Sequence, residues 1–353
     1  MTSTSKKEDI KDYSVDQLIL WLQDHGIKPY RAAQILKWTY LHQADTFEIM
    51  TDISKKIRPM LSTHFSIKRL EKVNVEISGD GSRKYLFRLE DGKYSEAVLI
   101  PEKNHHTLCI STQVGCAQGC RFCLTAKGGF VRDLTMGEII AQIRDIQNDL
   151  QNNPIDSKPL INIVLMGMGE PLANYNNVIK AIDIITNTDF GLKFSNRRIT
   201  LSTAGLVHKL SDLGRDTKIN LAISLNATDN QTRSMLMPVN RRYPIEQLLD
   251  ACKNYPLAPR RKITFEYILI KGINDSVEDA NRLVKLLRPI KSKINLIPFN
   301  EHNGSDFKRP EESVIHHFQE ILHQNNYTAI IRKSKGQDIS AACGQLRANA
   351  EGL

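Results

Sequence analysis

At 353 residues the chain is long enough for one large α/β domain with a small appendage, or for two ordinary domains. Its 41% hydrophobic and 25% charged residues lie close to globular averages, and no run is apolar enough to span a bilayer, which argues against a membrane-embedded or an intrinsically disordered chain. A net charge of +9, with basic clusters at Lys55–Lys56, Arg197–Arg198, Arg241–Arg242 and Arg260–Arg261–Lys262, suits a polyanionic partner and equally a solvated basic face.

The start, MTSTSKKEDIKDYS, is polar and lacks the apolar core of a secretory signal, so the cytoplasm is the expected compartment. From about residue 14 to 65, apolar positions at helical spacing (Leu18, Ile19, Leu22, then Ile35, Leu36, Tyr40) predict a compact set of short helices. From about Lys68 to Pro101 the pattern turns to β hairpins, with turns at 79–81 and at Asp91-Gly92.

Strand-like and helix-like stretches then alternate to about residue 330, the pattern of βα units around a parallel sheet or barrel. The strand candidates are 108–112, 161–166, 198–203, 219–225, 263–270 and 294–299, which makes six units. Helix starts between them carry capping-box spacing at Thr135/Glu138 and Ser276/Asp279. The chain closes on a Gly-bearing loop, KSKGQDISAACGQL, holding an isolated Cys343.

Six cysteines in a chain of this length are too few for a disulfide scaffold, so their clustering points to metal or catalytic work. Cys116, Cys120 and Cys123 form a C-x₃-C-x₂-C run just after the first strand of the alternating region. Three thiolates on one loop suit a 4Fe–4S cluster with one iron left open to a small-molecule ligand. The alternatives are a zinc site completed by His105 or His106, or three ordinary core cysteines; structural zinc usually shows paired C-x₂-C units or a Cys/His second half, neither of which is present.

The triplet is the motif of the radical S-adenosylmethionine (SAM) superfamily. Together with LMGMGEPLAN (165–174), RRITLSTAGL (197–206), AISLNA (222–227), LMPVNRRYPI (236–245), NLIPFN (295–300) and DISAACGQL (338–346), it makes the chain resemble the RlmN family from about residue 15 to 346. Those enzymes methylate adenine C2 in 23S rRNA, and many also the adenosine 3′ of the tRNA anticodon. The family usually has histidine where this chain has Asn226. The related resistance family methylates C8 of the same ribosomal adenosine, and the GMGEPL run favours the C2 family. A rival of another class is a metal-stapled RNA-binding protein without catalysis.

The resemblance implies an α/β fold: an incomplete (β/α)₆ TIM-like radical SAM barrel (104–335), a small N-terminal helical RNA-binding domain (1–67), a β-hairpin extension (68–103) and a C-terminal loop (336–353). It implies that Cys343 accepts a methyl group from one SAM, that a second SAM yields the radical which activates that methyl, that Cys109 releases the RNA by forming a transient disulfide with Cys343, and that Glu96 accepts the C2 proton. Adenine C2 lies between two ring nitrogens and is too electron-poor for ordinary displacement, so a thiolate relay is chemically reasonable. Taken singly, Cys109 and Cys343 read as small buried hydrophobes and Glu96 as a solvated carboxylate. Gly169 and Glu170, with Ser202, Ser224, Leu225, Asn226 and Asn300, are implied to contact SAM at the C-terminal ends of the strands, where barrel sites sit. The implied partners are 23S rRNA, tRNA and an electron donor such as flavodoxin or ferredoxin, with the chain a monomer.

Overall fold

A ten-stranded sheet runs through the computed structural model, which describes residues 7–154, 156–302 and 305–346. In chain order its strands are β1 (Glu71–Ile77), β2 (Arg83–Arg88), β3 (Tyr94–Pro101), β4 (His106–Cys109), β5 (Leu160–Leu165), β6 (Ile199–Thr203), β7 (Asn220–Ser224), β8 (Ile263–Leu269), β9 (Ser292–Pro298) and β10 (Ala329–Ile331). They lie side by side in that order, antiparallel from β1 to β4 and parallel from β4 to β10. Both β1 and β10 are edges, so the barrel is open and its sheet continues into the hairpins.

Six parallel strands correspond to those expected, and Ala329–Ile331 adds a seventh, too short at three residues to stand out as a pattern. The first parallel strand runs His106–Cys109 rather than 108–112. Past Cys109 the regular ladder gives way to scattered bonds with the neighbouring segment, among them Ile110 N–H to Val164 O, Gly167 N–H to Ile110 O and Thr112 N–H to Met168 O, as the chain bends toward the cysteine loop.

Helices α1 (Val15–Asp24), α2 (Arg31–Tyr40) and α3 (Ile57–His64) form the appendage. A capping box, Ser14 with Gln17, starts α1, and Leu18, Leu22, Ile35, Leu36 and Tyr40 are buried as their spacing requires. They share one hydrophobic cluster with the barrel strands, so the appendage has no separate core. The crossover helices are α4 (Met136–Asn152), α5 (Tyr175–Thr186), α6 (Val207–Asp216), α7 (Asn230–Leu236), α8 (Ile245–Lys253), α9 (Val277–Leu287) and α10 (Glu312–Gln324). Capping boxes at Thr135 and Ser276 start α4 and α9. No described helix is long and apolar enough to cross a membrane. The outer ends of the expected 1–67 and 336–353 segments lie outside the described residues.

Arg144 on α4 latches the appendage. It is fully buried, and donates to the carbonyls of Thr39 (3.1 Å), Gln43 (3.2 Å) and Ala44 (2.8 Å) and to Asp45 Oδ1 (2.6 Å). Arg144→Met leaves these acceptors unserved and should lower stability by ~3 kcal/mol. The same change should expose the 39–45 turn to protease. An unchanged melting temperature with no new cleavage there would contradict the latch.

Candidate active site

Strand register collects the chemistry on one face. Cross-strand partners in register share a face, as do residues two apart on a strand. Lys84 pairs with Val98, Val98 with Cys109, and Cys109 with Val164. Val164 pairs with Thr200, Thr200 with Asn220, Ser224 with Glu266, and Glu266 with Asn295. Glu96, Ser202 and Ser224 lie two or four positions from members of this chain. The inner face therefore carries Lys84, Glu96, Cys109, Ser202, Ser224, Glu266 and Asn295.

The cysteine loop closes the C-terminal ends of the strands. Its stem is a short antiparallel pair, Gln113–Gly115 with Phe130–Asp133, and Cys116 N–H donates to Gly129 O at 2.8 Å. Gly115 has φ +73°, and a Cβ there would lie 1.9 Å from Gly129 O, so only glycine lets the stem close. Phe122 packs with Leu236, Met237, Ala204 and Phe299, and Cys120 and Cys123 lie against this group.

Burial pushes the Cys116 thiol up to about 12 and Cys120 well above the ordinary thiol range, and Cys123 adds to both shifts. Thiolates crowded in this way need a cation among them, so the donor set fits an iron–sulfur cluster. His105 and His106 serve elsewhere: Asn162 Nδ2 lies 2.7 Å from His105 Nε2, and His106 Nε2 lies 2.9 Å from Asp156 Oδ1. Among the described residues no three His, Cys, Asp or Glu side chains form a single-ion site.

Residues 336–346 lie across the inner face. Asp338 accepts from Ser78 Oγ (2.5 Å) and Gly79 N–H (3.0 Å), and Asp80 accepts from Gly336 N–H (2.9 Å). At the other end Leu124 N–H donates to Gly344 O (2.8 Å), Thr125 Oγ1 to Leu346 O (2.6 Å) and Asn300 Nδ2 to Cys343 O (3.2 Å).

The structure thus brings Cys109 and Cys343 together. Cys109 packs with Ala341 and Leu346, which flank Cys343, and with Val98 and Met168. Burial, and after it the Cys343 thiolate, push the Cys109 thiol up to about 12. Cys343 keeps contact with solvent, yet surrounding protein and then the Glu266 carboxylate raise its thiol as well. All six cysteines are free.

Glu96 is buried, with Lys84 Nζ 3.8 Å from its carboxylate, and is not the solvated hairpin acid its sequence context suggests. Glu170 lies at the end of β5, where Gly169 has φ +101° and a Cβ would lie 2.5 Å from Gln113 Cβ. The Glu170 carboxylate accepts from Leu172 N–H (3.0 Å) and Ala204 N–H (2.7 Å), and burial raises its pKa. Asn226 is buried with φ +58°; its Oδ1 accepts from Ile268 N–H (2.8 Å), its Nδ2 contacts Met237 Sδ (3.2 Å) and its main-chain O accepts from Asn274 Nδ2 (2.8 Å). Ser202 and Ser224 are half-buried, Leu225 is buried, and the Asn300 side chain also bonds Ser334.

Three buried residues escaped the sequence reading: Lys84, Arg233 and Glu266. Lys84 Nζ donates to Ile339 O at 2.7 Å and pairs with Glu76 at 2.9 Å, joining the hairpins to the C-terminal segment. Glu266 had a signal, a lone carboxylate inside the apolar strand ITFEYILI. Burial raises Glu266 to about 6 from an ordinary 4.5, although Asn295 Nδ2 donates to it at 2.9 Å. Because the folded state holds this proton more tightly than the unfolded chain, its contribution is present below pH 4.5 and lost as pH rises through about 6. Glu266→Gln should therefore gain about 2 kcal/mol in denaturant unfolding at pH 7 and nothing at pH 4. An equal effect at both pH values would contradict this.

Comparison with known proteins agrees with this geometry. Residues 110–284 match the family model described as the radical SAM superfamily, and residues 8–67 match that of the ribosomal RNA large subunit methyltransferase N-terminal domain. The chain is 57% identical over 349 residues to the dual-specificity RNA methyltransferase RlmN of Desulfosudis oleivorans, covering 99% of this chain and 93% of that protein. It is 52% identical to the protein of that name from Geobacter sulfurreducens, covering 98% and 93%. The crystal structure of a radical SAM methyltransferase from Sphaerobacter thermophilus superposes with a TM-score of 0.90 at 41% identity, covering 97% of this chain and 100% of that one. On these grounds the chain belongs to the RlmN family of the radical SAM superfamily.

Proposed function

We propose that this protein methylates C2 of an adenosine in 23S rRNA and of the adenosine 3′ of the anticodon in tRNA, with Cys343 carrying the methyl group and Cys109 releasing the product. The observation that carries this reading is the apolar cluster that joins Cys109 to Ala341 and Leu346, on either side of Cys343. An RNA substrate is supported by the name shared by the relatives, dual-specificity RNA methyltransferase, and by a net charge of +9.

Cys116, Cys120 and Cys123 would hold a 4Fe–4S cluster, and Gly169, Glu170, Ser202, Ser224, Leu225, Asn226 and Asn300 would surround SAM. When bound, the cluster and SAM supply one-electron chemistry that no side chain here provides. Cys343 Sγ, once its proton has left, takes the methyl group of one SAM by displacement. The S-methyl carbon on Cys343, once the bound cluster and a second SAM had taken a hydrogen atom from it, would bond adenine C2. The electron lent to start the radical step would return from the adduct to the cluster, and the C2 proton would pass to Glu96, which lies 3.8 Å from Lys84 Nζ. The Cys109 thiolate then attacks Cys343 Sγ; the S–C bond breaks, its electron pair stays on carbon, and a proton completes the methyl group. A disulfide remains, to be reduced by an external thiol.

Residues 1–67 would form an accessory RNA-binding domain and 68–103 a hairpin extension. The target base must leave its stack to reach the inner face. A flavodoxin- or ferredoxin-type donor would supply electrons to a cytoplasmic monomer.

Cys109→Ala and Cys343→Ala separate the two roles. Cys109→Ala purified from cells should show a nuclease-sensitive band heavier than the protein on a denaturing gel, because the adduct forms and cannot be opened. Cys343→Ala and the double variant should show none. Full turnover by Cys109→Ala without such a band would rule out its releasing role.

A further inference from the structure

Arg233, on α7, is fully buried beneath the strand ends. A guanidinium has five N–H donors, and here every one has an acceptor. Nε donates to Leu225 O (3.0 Å); Nη1 to Asn240 Oδ1 (3.0 Å) and Tyr243 O (3.4 Å); Nη2 to Ala204 O (2.8 Å) and Ser224 O (3.2 Å). The donors are spent on the protein itself, so Arg233 as placed has none left for a substrate. It ties the turn after β6 to the turn after β7, the two segments that would carry SAM.

None of the five acceptors is a carboxylate. A buried cation served only by neutral oxygens is costly unless negative charge lies nearby. A cluster held on the cysteine loop would supply that charge, because α7 meets this loop one turn beyond Arg233. The end of this helix and the turn after it also grip the cysteine loop: Leu236 O accepts from Arg121 N–H at 3.0 Å, and Pro238 Cγ would lie 3.5 Å from a Cβ at Gly119. Leu236 and Met237 pack on Phe122. The LMPVNRR run thus joins the cysteine loop to the strand ends, with the buried charge between them.

We propose that Arg233 is a positioning residue with two effects: its charge raises the reduction potential of the cluster held by Cys116, Cys120 and Cys123, and its five hydrogen bonds hold the SAM pocket in shape. This rests on the cofactor reading above. A fixed positive charge beside a redox centre favours its reduced, more negative form, so removing the charge makes reduction harder.

Arg233→Gln and Arg233→Lys separate the effects when each holoenzyme is purified without oxygen. Redox titration followed by electron paramagnetic resonance without SAM reads the charge, and SAM affinity reads the shape. Arg233→Gln should have a more negative midpoint than the unmodified protein. Arg233→Lys keeps the charge and should titrate near the unmodified midpoint, yet bind SAM at least tenfold more weakly, since an ammonium cannot serve five acceptors. A midpoint in Arg233→Gln equal to the unmodified value overturns the electrostatic role. Should Arg233→Gln fail to fold, Arg233→Met removes the same charge from a side chain of similar length, and a more negative midpoint there supports that role whereas an unmodified one overturns it. Unweakened SAM binding by Arg233→Lys overturns the positioning role. Unmodified protein lacking iron and sulfide would instead sink the cofactor reading, an outcome distinct from either.

Discussion

The site depends on the C-terminal segment being pinned at both ends across the inner face of the sheet. At one end Asp338 accepts from Ser78 and Gly79 in the first hairpin turn, and Asp80 in that turn accepts from Gly336 N–H. At the other, Gly344 O accepts from Leu124 N–H directly beyond the cysteine triplet, at 2.8 Å. Between these anchors the segment carries Cys343 close enough to Cys109 for the two thiols to interact electrostatically. The barrel is open toward β1, and the hairpins serve as the wall against which the segment is anchored.

The electrostatics of this arrangement run against free thiolates. Desolvation by surrounding protein raises Cys109, Cys116, Cys120 and the partly solvated Cys343, and each is raised further by a neighbouring thiolate or carboxylate. Desolvation holds a thiol neutral and unreactive until a cationic partner arrives. A bound cation or sulfonium would reverse that balance, which suits a relay whose thiols should act only when the site is loaded. Arg233 and Lys84 are the buried cations beside this acidic set, and both are held by carbonyl groups.

Much of the site was legible because it lies in contiguous motifs or on strands. The cysteine triplet, Gly169-Glu170 and the Ser224–Asn226 run are local, and six of the seven parallel strands showed as apolar runs. What escaped depends on distant backbone. Arg144 and Arg233 sit in helices where an arginine ordinarily reads as solvated, and their partners are mostly main-chain carbonyls from other segments, which leave no mark in composition or spacing. Asn226 stood out only as a departure from the family; its left-handed backbone and its bond to Ile268 N–H give asparagine a structural place there.

The account's central claim is that this inner face methylates adenine at C2 through Cys343. Mass spectrometry of nucleosides from 23S rRNA and tRNA tests it most directly, in a strain lacking the gene and in that strain carrying the unmodified protein or Cys343→Ala. The account predicts that 2-methyladenosine disappears with the gene, returns with the unmodified protein and stays absent with Cys343→Ala. Persistence of 2-methyladenosine in the deletion strain, its return with Cys343→Ala, or 8-methyladenosine in its place would contradict it.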